Sequence, residues 1–425
     1  MAQASSVMLR ASGFSPWHRA PSELSIQRES QRAEITRLQF SIGLREMRIS
    51  LHILKHIDVT NLSMYALVAF DNQKPREGNL MRIHALSDVA LAELKRDLSS
   101  IASHPYRNYV SFREEIGAYV QKREDFLQSI MKPVINLFAD KTDTRKVALI
   151  KSCPIDDEIP VFDFSDPVNN KRSLKMTYIS EAFLEIISQI LDIPILAYTT
   201  RNDGDFFQDV YYHKKYSSTQ TQKTDSELYF HNDRTAHFVR ADLPCLLGPR
   251  ADAQNVIVTT YVHGEDVLDL LDDDTKIVLR QRYFVTPFDP VSQDSHEFHT
   301  CSERHAIIIG KADLRYHDVR TTVAEGSPPE AWQALVALKN AITRAPKTRV
   351  PIGVGDLFIF PNLAGLHSRD KVIVVNDEAA RQRYLLKTYN FWSTTRRDAF
   401  KDVFVDGVPG LVDDDKLYGN ESLTA

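Results

Sequence analysis

The segment that decides the fold is Leu228-Tyr229-Phe230-His231-Asn232-Asp233, which is followed much later in the chain by His367. Its apolar and aromatic start predicts a strand. Because side chains alternate along a strand, His231 and Asp233 are expected to lie on one face. A second apolar run, Phe358-Ile359-Phe360, is expected to form a strand leading into His367. Alone, a His-x-Asp pair is weak evidence, but two flanking strands strengthen it.

Two imidazoles and one carboxylate can occupy one face of an octahedral metal ion and leave three positions open, as in non-haem Fe(II) oxygenases. The sequence therefore predicts a metal site made by His231, Asp233 and His367. The alternative is a pair of ordinary polar residues at a strand end and an unrelated histidine. Arg383 precedes a third strand-like run, Tyr384–Tyr389. Its guanidinium matches the geometry of a carboxylate, so an anion site is expected beside the metal.

The bulk composition limits the class of protein. The chain has 425 residues, 43% of them hydrophobic, and a net charge of −5, which gives no electrostatic case for nucleic-acid or anionic-membrane binding. No apolar run approaches the roughly 18–20 residues that cross a bilayer. Three scattered cysteines exclude a disulfide framework, so a reducing, cytoplasmic location is expected.

Four segments are expected along the chain. Residues 1–22 contain no acidic residue and are read as a disordered start rather than a transit peptide. Residues 23–145 carry apolar side chains at helical spacing, with Ser87 as a helix N-cap. Residues 146–400 form the main domain, and residues 401–425 are a polar C-terminal extension.

The main domain contains a helix candidate, Thr177–Leu191, and then short β-rich runs that suggest a sandwich or barrel. Two further helices, Glu265–Leu271 and Pro329–Ile342, interrupt these runs. The expected strands are Ile195–Thr199, Phe206–Tyr212, Leu228–Phe230, Leu243–Gly248, Val256–Val262, Arg282–Thr286, Ala306–Ile309, Leu357–Phe360 and Tyr384–Tyr389.

From about Pro194 to Trp392 the chain resembles the clavaminate synthase-like branch of the TauD/TfdA-type Fe(II)/2-oxoglutarate dioxygenases, many of which hydroxylate free amino acids. The matching motifs, in order, are Gly204–Val210, Phe230–Asp233, Arg240–Asp242, Leu246–Arg250, Leu314–Tyr316, Gly355–Leu357, Asn362, His367 and Arg383–Leu385. The resemblance implies a mixed α+β protein with a double-stranded β-helix (jelly-roll) core, to which a helical N-terminal region is attached. It also implies Fe(II), 2-oxoglutarate and O2 as cofactor and co-substrates.

The resemblance assigns roles to further residues. Arg383 is expected to bind the C5 carboxylate of 2-oxoglutarate as a bidentate pair, and Arg381 competes for this role. Arg383 is preferred because the family arginine directly precedes an aromatic-Leu pair. Thr259 is expected to touch the same carboxylate, with Thr260 as the alternate.

Substrate contacts are expected from Lys387, Gln208 and Asp318. Lys387 lies four residues past Arg383 and shares its strand face. Relatives often have an arginine there for the substrate α-carboxylate, and the lysine departs from that pattern while it retains the positive charge. Asp318 falls where relatives that bind basic side chains carry acidic residues. Because the Asp233 carboxylate is present, hydroxylation is favoured over halogenation.

The predicted function is hydroxylation of a free, basic or polar amino acid. A carrier-bound aminoacyl group or a peptide stays open as substrate, with the N-terminal helices as a docking or homo-oligomer surface. Competing hypotheses are a JmjC-like protein hydroxylase or demethylase and a non-catalytic jelly-roll binding protein. The single arginine after the distal histidine argues against the former, and the complete ligand set argues against the latter.

Overall fold

The computed structural model describes residues 81–163, 166–211, 227–250, 257–289, 300–371, 376, 378 and 382–418. The expected disordered start at 1–22 and Arg381 lie outside these residues. So do residues 23–80 of the region expected to be helical and residues 419–425 of the C-terminal extension.

The described helices are α1 (Asp88–Leu98), α2 (Tyr109–Lys122), α3 (Glu124–Ala139), α4 (Pro167–Leu174), α5 (Ile179–Ile190), α6 (Gly264–Leu268), α7 (Asp273–Leu279), α8 (Glu330–Arg344), α9 (Thr394–Asp398) and α10 (Asp414–Tyr418). Ser87 caps α1 as predicted, since its side chain accepts a hydrogen bond from the Ala90 amide. The predicted helix before Pro194 is confirmed as α5.

The described strands are β1 (Arg82–Ala85), β2 (Ala148–Lys151), β3 (Ile195–Tyr198), β4 (Gln208–Tyr211), β5 (Leu228–His231), β6 (Leu243–Arg250), β7 (Val258–His263), β8 (Phe284–Val285), β9 (Thr322–Val323), β10 (Thr348–Pro351), β11 (Leu357–Ile359), β12 (Gly365–Arg369), β13 (Tyr384–Asn390) and β14 (Leu411–Val412). The larger sheet runs β1-β2-β11-β6-β13-β3-β14, with β4 also paired to β13. A second sheet runs β10-β7-β12-β5, and β8 pairs with β9.

The two main sheets pack face to face, with helices covering their outer faces. Leu246, Phe358 and Leu385 of the larger sheet share one core with Tyr261 and Val350 of the smaller sheet. Their sequence neighbours Leu247, Leu357 and Leu386 point the other way and pack among helices α1, α2, α3 and α5. On the far side, Val262 and Leu366 pack against α6, α7 and α8. This period-two alternation gives a mixed α/β architecture of four layers.

Two expectations about strands are wrong. Phe358-Ile359-Phe360 does not continue into His367, because β11 ends at Ile359 in the larger sheet and β12 belongs to the smaller one. The apolar run is interrupted by Pro361, which lacks the amide that a ladder needs, and the chain crosses between the sheets there. Ala306–Ile309 forms only an isolated bridge, between Ile308 and Leu314.

Part of the segment expected to be helical is a strand. β1 pairs in parallel with β2, from Arg82 opposite Ala148 to Ala85 opposite Lys151. Helices α1 to α3 lie between these two strands in the chain. In the part of the chain that is described, no helix is both long and apolar enough to cross a membrane.

Candidate metal centre and its cavity

The smaller sheet brings the two predicted histidines together. His231, at the end of β5, lies directly opposite His367 of β12 in antiparallel register. Their ring centroids are 4.3 Å apart. Asp233 follows β5 by two residues, and the three residues offer one ligand atom each within 4.8 Å of one another. Among the described residues, no other group of three or more histidine, cysteine or acidic side chains has metal-binding geometry.

The side chains present their coordinating atoms to a common point. Nε2 of His231 is 3.9 Å from Oδ1 of Asp233, and Nε2 of His367 is 3.5 Å from Oδ2. The other ring nitrogen of His231, Nδ1, lies 2.7 Å from the Tyr229 carbonyl. Such a bond places the proton on Nδ1 and leaves Nε2 as the donor to a metal.

The protonation states suit a cation. Burial lowers the pKa of His231, and burial lowers the pKa of His367 to about 3, so both imidazoles are neutral at pH 7. Burial alone would raise the pKa of Asp233. The positive charge of Lys387 outweighs the effect of burial and holds that pKa below its usual range. Two neutral nitrogens and one anionic oxygen form the donor set of a non-haem Fe(II) site.

Two asparagines fix the backbone of this motif. The side-chain nitrogen of Asn232 donates to the carbonyls of Asn362 and Gly365. Its side-chain oxygen accepts from the backbone amide of Tyr316 at 2.8 Å. The Asn362 side-chain oxygen accepts from the Asp233 amide at 2.7 Å. Its nitrogen donates to the carbonyls of Asp233 at 3.1 Å and Ala241 at 2.8 Å. Both asparagines are buried, so they hold Asp233 in register with the opposing strand.

We expect Asn362→Ala to destabilise the fold by about 2–5 kcal/mol, because it leaves several buried backbone groups without partners. The same variant should weaken Fe(II) binding by about 10- to 100-fold, the usual effect of losing an outer-shell partner. Urea unfolding and anaerobic Fe(II) titration measure the two effects. Asn340→Ala, on the exposed face of α8, is the matched control. Equal stability of the two variants would contradict the role of Asn362 in holding the backbone at Asp233.

The three residues open into one cavity between the two main sheets. Its lining includes apolar side chains, the histidines and several cations. Among the lining residues are Arg201, His231, Asp233, Arg234, Thr259, Asp289, His317, Arg320, His367, Arg369, Arg383, Leu385, Lys387 and Tyr389.

The two residues preferred for 2-oxoglutarate both line this cavity. Arg383 is buried and directly precedes β13, and Thr259 lies on β7 opposite Arg369 of β12. Thr260 points away, and its hydroxyl lies 3.4 Å from the Asp370 carboxylate. The alternate threonine is therefore not brought to the cavity.

Lys387 also lines the cavity, and it contacts Asp233 of the predicted metal site. Its Nζ lies 3.3 Å from Oδ2 of Asp233 and donates to the Tyr389 hydroxyl at 2.9 Å. The register pairs Lys387 with Gln208 of β4. Gln208 is fully buried, and neither atom of its amide has a hydrogen-bond partner in the described part of the chain.

Asp318 does not join the site. Its carboxylate accepts hydrogen bonds from the Tyr316 hydroxyl at 2.6 Å and from Lys339 of α8 at 2.8 Å. Its neighbour His317 lines the cavity instead. The ring of His317 lies 5.2 Å from that of His231, and the two residues form an isolated bridge.

Several lining residues were not expected from the sequence. Arg369 and Tyr389 had a signal, since each lies two residues past a predicted site residue and so shares its strand face. Arg234 directly follows the motif and has a left-handed backbone, φ 60°. The loop residues Arg201 and Arg320 carry no pattern that sequence reasoning can use.

No family model matches the sequence. The structure is similar to that of an asparagine oxygenase in complex with Fe(II), (2S,3S)-3-hydroxyasparagine and succinate, with a TM-score of 0.64 and 19% identity over 78% of this chain and 99% of that one. The chain has the fold of the non-haem iron oxygenases. Another structure with this fold is the non-haem iron oxygenase OrfP, solved with Fe, succinate and (3R,4R)-dihydroxy-L-Arg. It has a TM-score of 0.61 and 14% identity, over 78% of this chain and 100% of that one.

OrfP has also been solved with Fe and α-ketoglutaric acid, and that structure has a TM-score of 0.58 and 16% identity, with the same coverage of both chains. The similarity spans nearly the whole of each oxygenase. The resemblance seen in the sequence is therefore confirmed for the fold, and the oxygenase fold extends beyond the motif-bearing region to most of the described chain.

Proposed function

We propose that this chain is an Fe(II)/2-oxoglutarate-dependent oxygenase that hydroxylates an unactivated C–H bond of an amino acid. The observation that carries the proposal is the convergence of His231, Asp233 and His367, whose ligand atoms lie within 4.8 Å of one another. We propose that the two main sheets, which pack face to face, form the double-stranded β-helix of the family. The asparagine oxygenase, and the OrfP structure that contains (3R,4R)-dihydroxy-L-Arg, support an amino acid as substrate.

The residues present fit a divalent iron. His231, Asp233 and His367 would hold it, and each donor has the protonation state that coordination needs. When bound, iron with 2-oxoglutarate would supply O2 activation: one oxygen atom would become a hydroxyl on the substrate carbon, the other would enter succinate, and CO2 would leave. The protein's own part is to position that C–H bond and keep water out.

Arg383 is proposed to hold the C5 carboxylate of 2-oxoglutarate. It is buried at the start of β13, on the same strand face as Leu385 and Lys387. A planar guanidinium can donate two parallel hydrogen bonds to a carboxylate. Thr259, in the same cavity, would add a hydroxyl donor.

Lys387 is proposed to hold the substrate α-carboxylate, with Gln208 beside it. Lys387 is buried and positively charged, and its register partner carries an amide without partners in the described residues. The contact to Asp233 places this cation next to the metal position, so a carboxylate bound there would bring the substrate's neighbouring carbons close to the iron.

We expect Lys387→Met to raise the KM for the amino acid by about 10- to 100-fold, because it removes a charge-assisted contact. The KM for 2-oxoglutarate should change far less, since Arg383 is retained. Arg349→Met, an exposed side chain on β10, is the control for loss of a cation. Unchanged amino-acid KM in Lys387→Met would contradict the assignment.

A carrier-bound aminoacyl group or a peptide is the alternative substrate. We propose that residues 146–400 form the oxygenase domain and that residues 23–145 form a docking or homo-oligomer surface. The JmjC-like hypothesis and the non-catalytic binding protein are further alternatives. Iron-dependent release of succinate from 2-oxoglutarate, with mass spectrometry for a gain of one oxygen across the twenty amino acids, tests the proposal. Failure of every substrate to gain oxygen, together with no iron-dependent succinate, would overturn it.

A further inference from the structure

The backbone around Arg383 determines where its guanidinium points. Arg383 and Leu385 line the cavity. Tyr384, between them, lies in the core covered by helices, as the alternation of side chains along a strand requires. Arg383 directly precedes the first paired residue of β13, so the direction of its side chain depends on how residues 382–384 are held.

The Tyr384 side chain is bound to a buried ion pair. Its hydroxyl donates to Oδ1 of Asp209 at 2.6 Å, and the ammonium of Lys171 donates to Oδ2 at 2.8 Å. All three residues are buried. Burial raises the pKa of Tyr384, so its hydroxyl keeps its proton and acts as the donor. Asp209 belongs to β4 and Lys171 to α4, so these contacts fix the start of β13 to a neighbouring strand and to a helix.

The backbone pairing of β13 is irregular near Tyr384. In the ladder with β6, Tyr384 lies opposite Arg250, and the register shifts before Leu386. Such a shift bends a strand and disrupts its ladder locally. On the other side, this end of β13 pairs with β4, which has four residues. Side-chain contacts are therefore expected to contribute to the position of Arg383.

A second side chain holds the residue that precedes Arg383. The guanidinium of Arg250, at the end of β6, donates through Nε to the carbonyl of Gln382. Through Nη1 it also donates to the carbonyl of Ile159 at 2.7 Å. Gln382 and Tyr384 are the chain neighbours of Arg383, so a side-chain hydrogen bond holds the chain on each side of it.

We propose that Tyr384 and Arg250 are positioning residues for 2-oxoglutarate, which fix the backbone on both sides of Arg383 and so aim its guanidinium at the C5 carboxylate. This inference rests on the proposed function and adds two residues that act through Arg383. Neither is among the cavity-lining residues that the structure describes. A binding group must be held within about 0.5 Å of its productive geometry by packing and hydrogen bonds, and a bidentate guanidinium contact depends on orientation. A small backbone shift at Arg383 is therefore sufficient to weaken binding.

The first test measures binding of 2-oxoglutarate directly. The anaerobic protein, loaded with Fe(II), is titrated with 2-oxoglutarate by calorimetry, and unfolding in urea is followed for each variant. Tyr384→Phe keeps the ring and removes the hydroxyl, and Arg250→Met removes the guanidinium. We expect each variant to raise the dissociation constant for 2-oxoglutarate by about 5- to 30-fold. Fe(II) affinity should stay within about twofold, since none of the proposed metal ligands lies on β13.

Tyr109→Phe is the matched control for loss of a tyrosine hydrogen bond to a buried carboxylate. The Tyr109 hydroxyl donates at 2.9 Å to the carboxylate of Glu185, a buried residue of α5. This variant should lower the stability of the fold and leave the dissociation constant for 2-oxoglutarate within about twofold. Equal weakening of 2-oxoglutarate binding by the control would show that loss of stability alone has this effect, and would overturn the inference.

A double-mutant cycle with Arg383→Ala shows whether the effect passes through Arg383. If it does, Tyr384→Phe and Arg250→Met each change the dissociation constant by less than about twofold once Arg383 is absent. Equal weakening with and without Arg383 would show an independent structural effect and would overturn the inference. So would binding of 2-oxoglutarate by the unmodified protein that neither single variant weakens. No binding of 2-oxoglutarate by the unmodified Fe(II)-loaded protein would instead overturn the proposed function, and this inference with it.

Discussion

Replacement of His367 by alanine is expected to abolish turnover, with a fall in kcat/KM on the order of 1000-fold or more, since the metal's contribution of several kcal/mol is lost with its ligand. His367 is buried on β12 directly opposite His231. His317 is a further histidine of the same cavity, but its ring lies 5.2 Å from that of His231. It is not part of the three-residue group. Succinate release and Fe(II) content per chain are the measurements.

His317→Ala is the matched control for this prediction. It removes a buried imidazole from the same cavity while leaving His231, Asp233 and His367 in place. The control variant should still bind one Fe(II) per chain. Turnover in His367→Ala close to that of the unmodified protein, or loss of iron from His317→Ala but not from His367→Ala, would show that the ligand set is wrongly assigned.

Arg383→Ala is expected to raise the KM for 2-oxoglutarate by about 30- to 1000-fold, which corresponds to roughly 2–4 kcal/mol for a charge-assisted bidentate contact. The kcat at saturating 2-oxoglutarate should fall less, because Arg383 binds the end of the molecule that does not react. Steady-state kinetics over a wide range of 2-oxoglutarate concentrations separate the two effects.

Two other arginines compete for the same carboxylate. Arg369 lies opposite Thr259 in the cavity, and Arg381 was the sequence alternative. Alanine at either position should have a milder effect on the KM for 2-oxoglutarate than Arg383→Ala. A larger effect of Arg381→Ala would mean that Arg381, two residues before Arg383, is the counterpart of the family arginine. A larger effect of Arg369→Ala would move the carboxylate site to β12.

The local parts of the candidate site rest on short-range rules that the sequence alone can show. Strand alternation placed His231 and Asp233 on one face, and the same rule placed Lys387 on the cavity face that Arg383 shares. Ser87 was recognised as an N-cap because a side-chain oxygen before a helix satisfies a free amide. The choice of Thr259 over Thr260 came from the resemblance, and the structure places only Thr259 in the cavity.

The long-range parts could not be predicted, because they depend on which strands become neighbours. The pairing of β5 with β12 joins residues more than a hundred positions apart. Pro361 indicates that the strand of Phe358 ends, but it does not show which sheet the next strand joins. The same limit explains Asp318. Alternation puts His317 and Asp318 on opposite faces, and only the packing of α8 shows that the carboxylate meets Lys339. Arg201 and Arg320 enter the cavity from loops, where no periodicity applies.

The central claim is tested most directly by anaerobic titration of the metal-free protein, first with Fe(II) and then with 2-oxoglutarate. If His231, Asp233 and His367 form a facial metal site that leaves room for a chelating 2-oxo acid, the protein binds one Fe(II) per chain. Addition of 2-oxoglutarate then produces a weak visible charge-transfer band that saturates at one equivalent, and His367→Ala shows no band. Absence of the band in the iron-loaded unmodified protein, or an equal band in His367→Ala, would contradict the account.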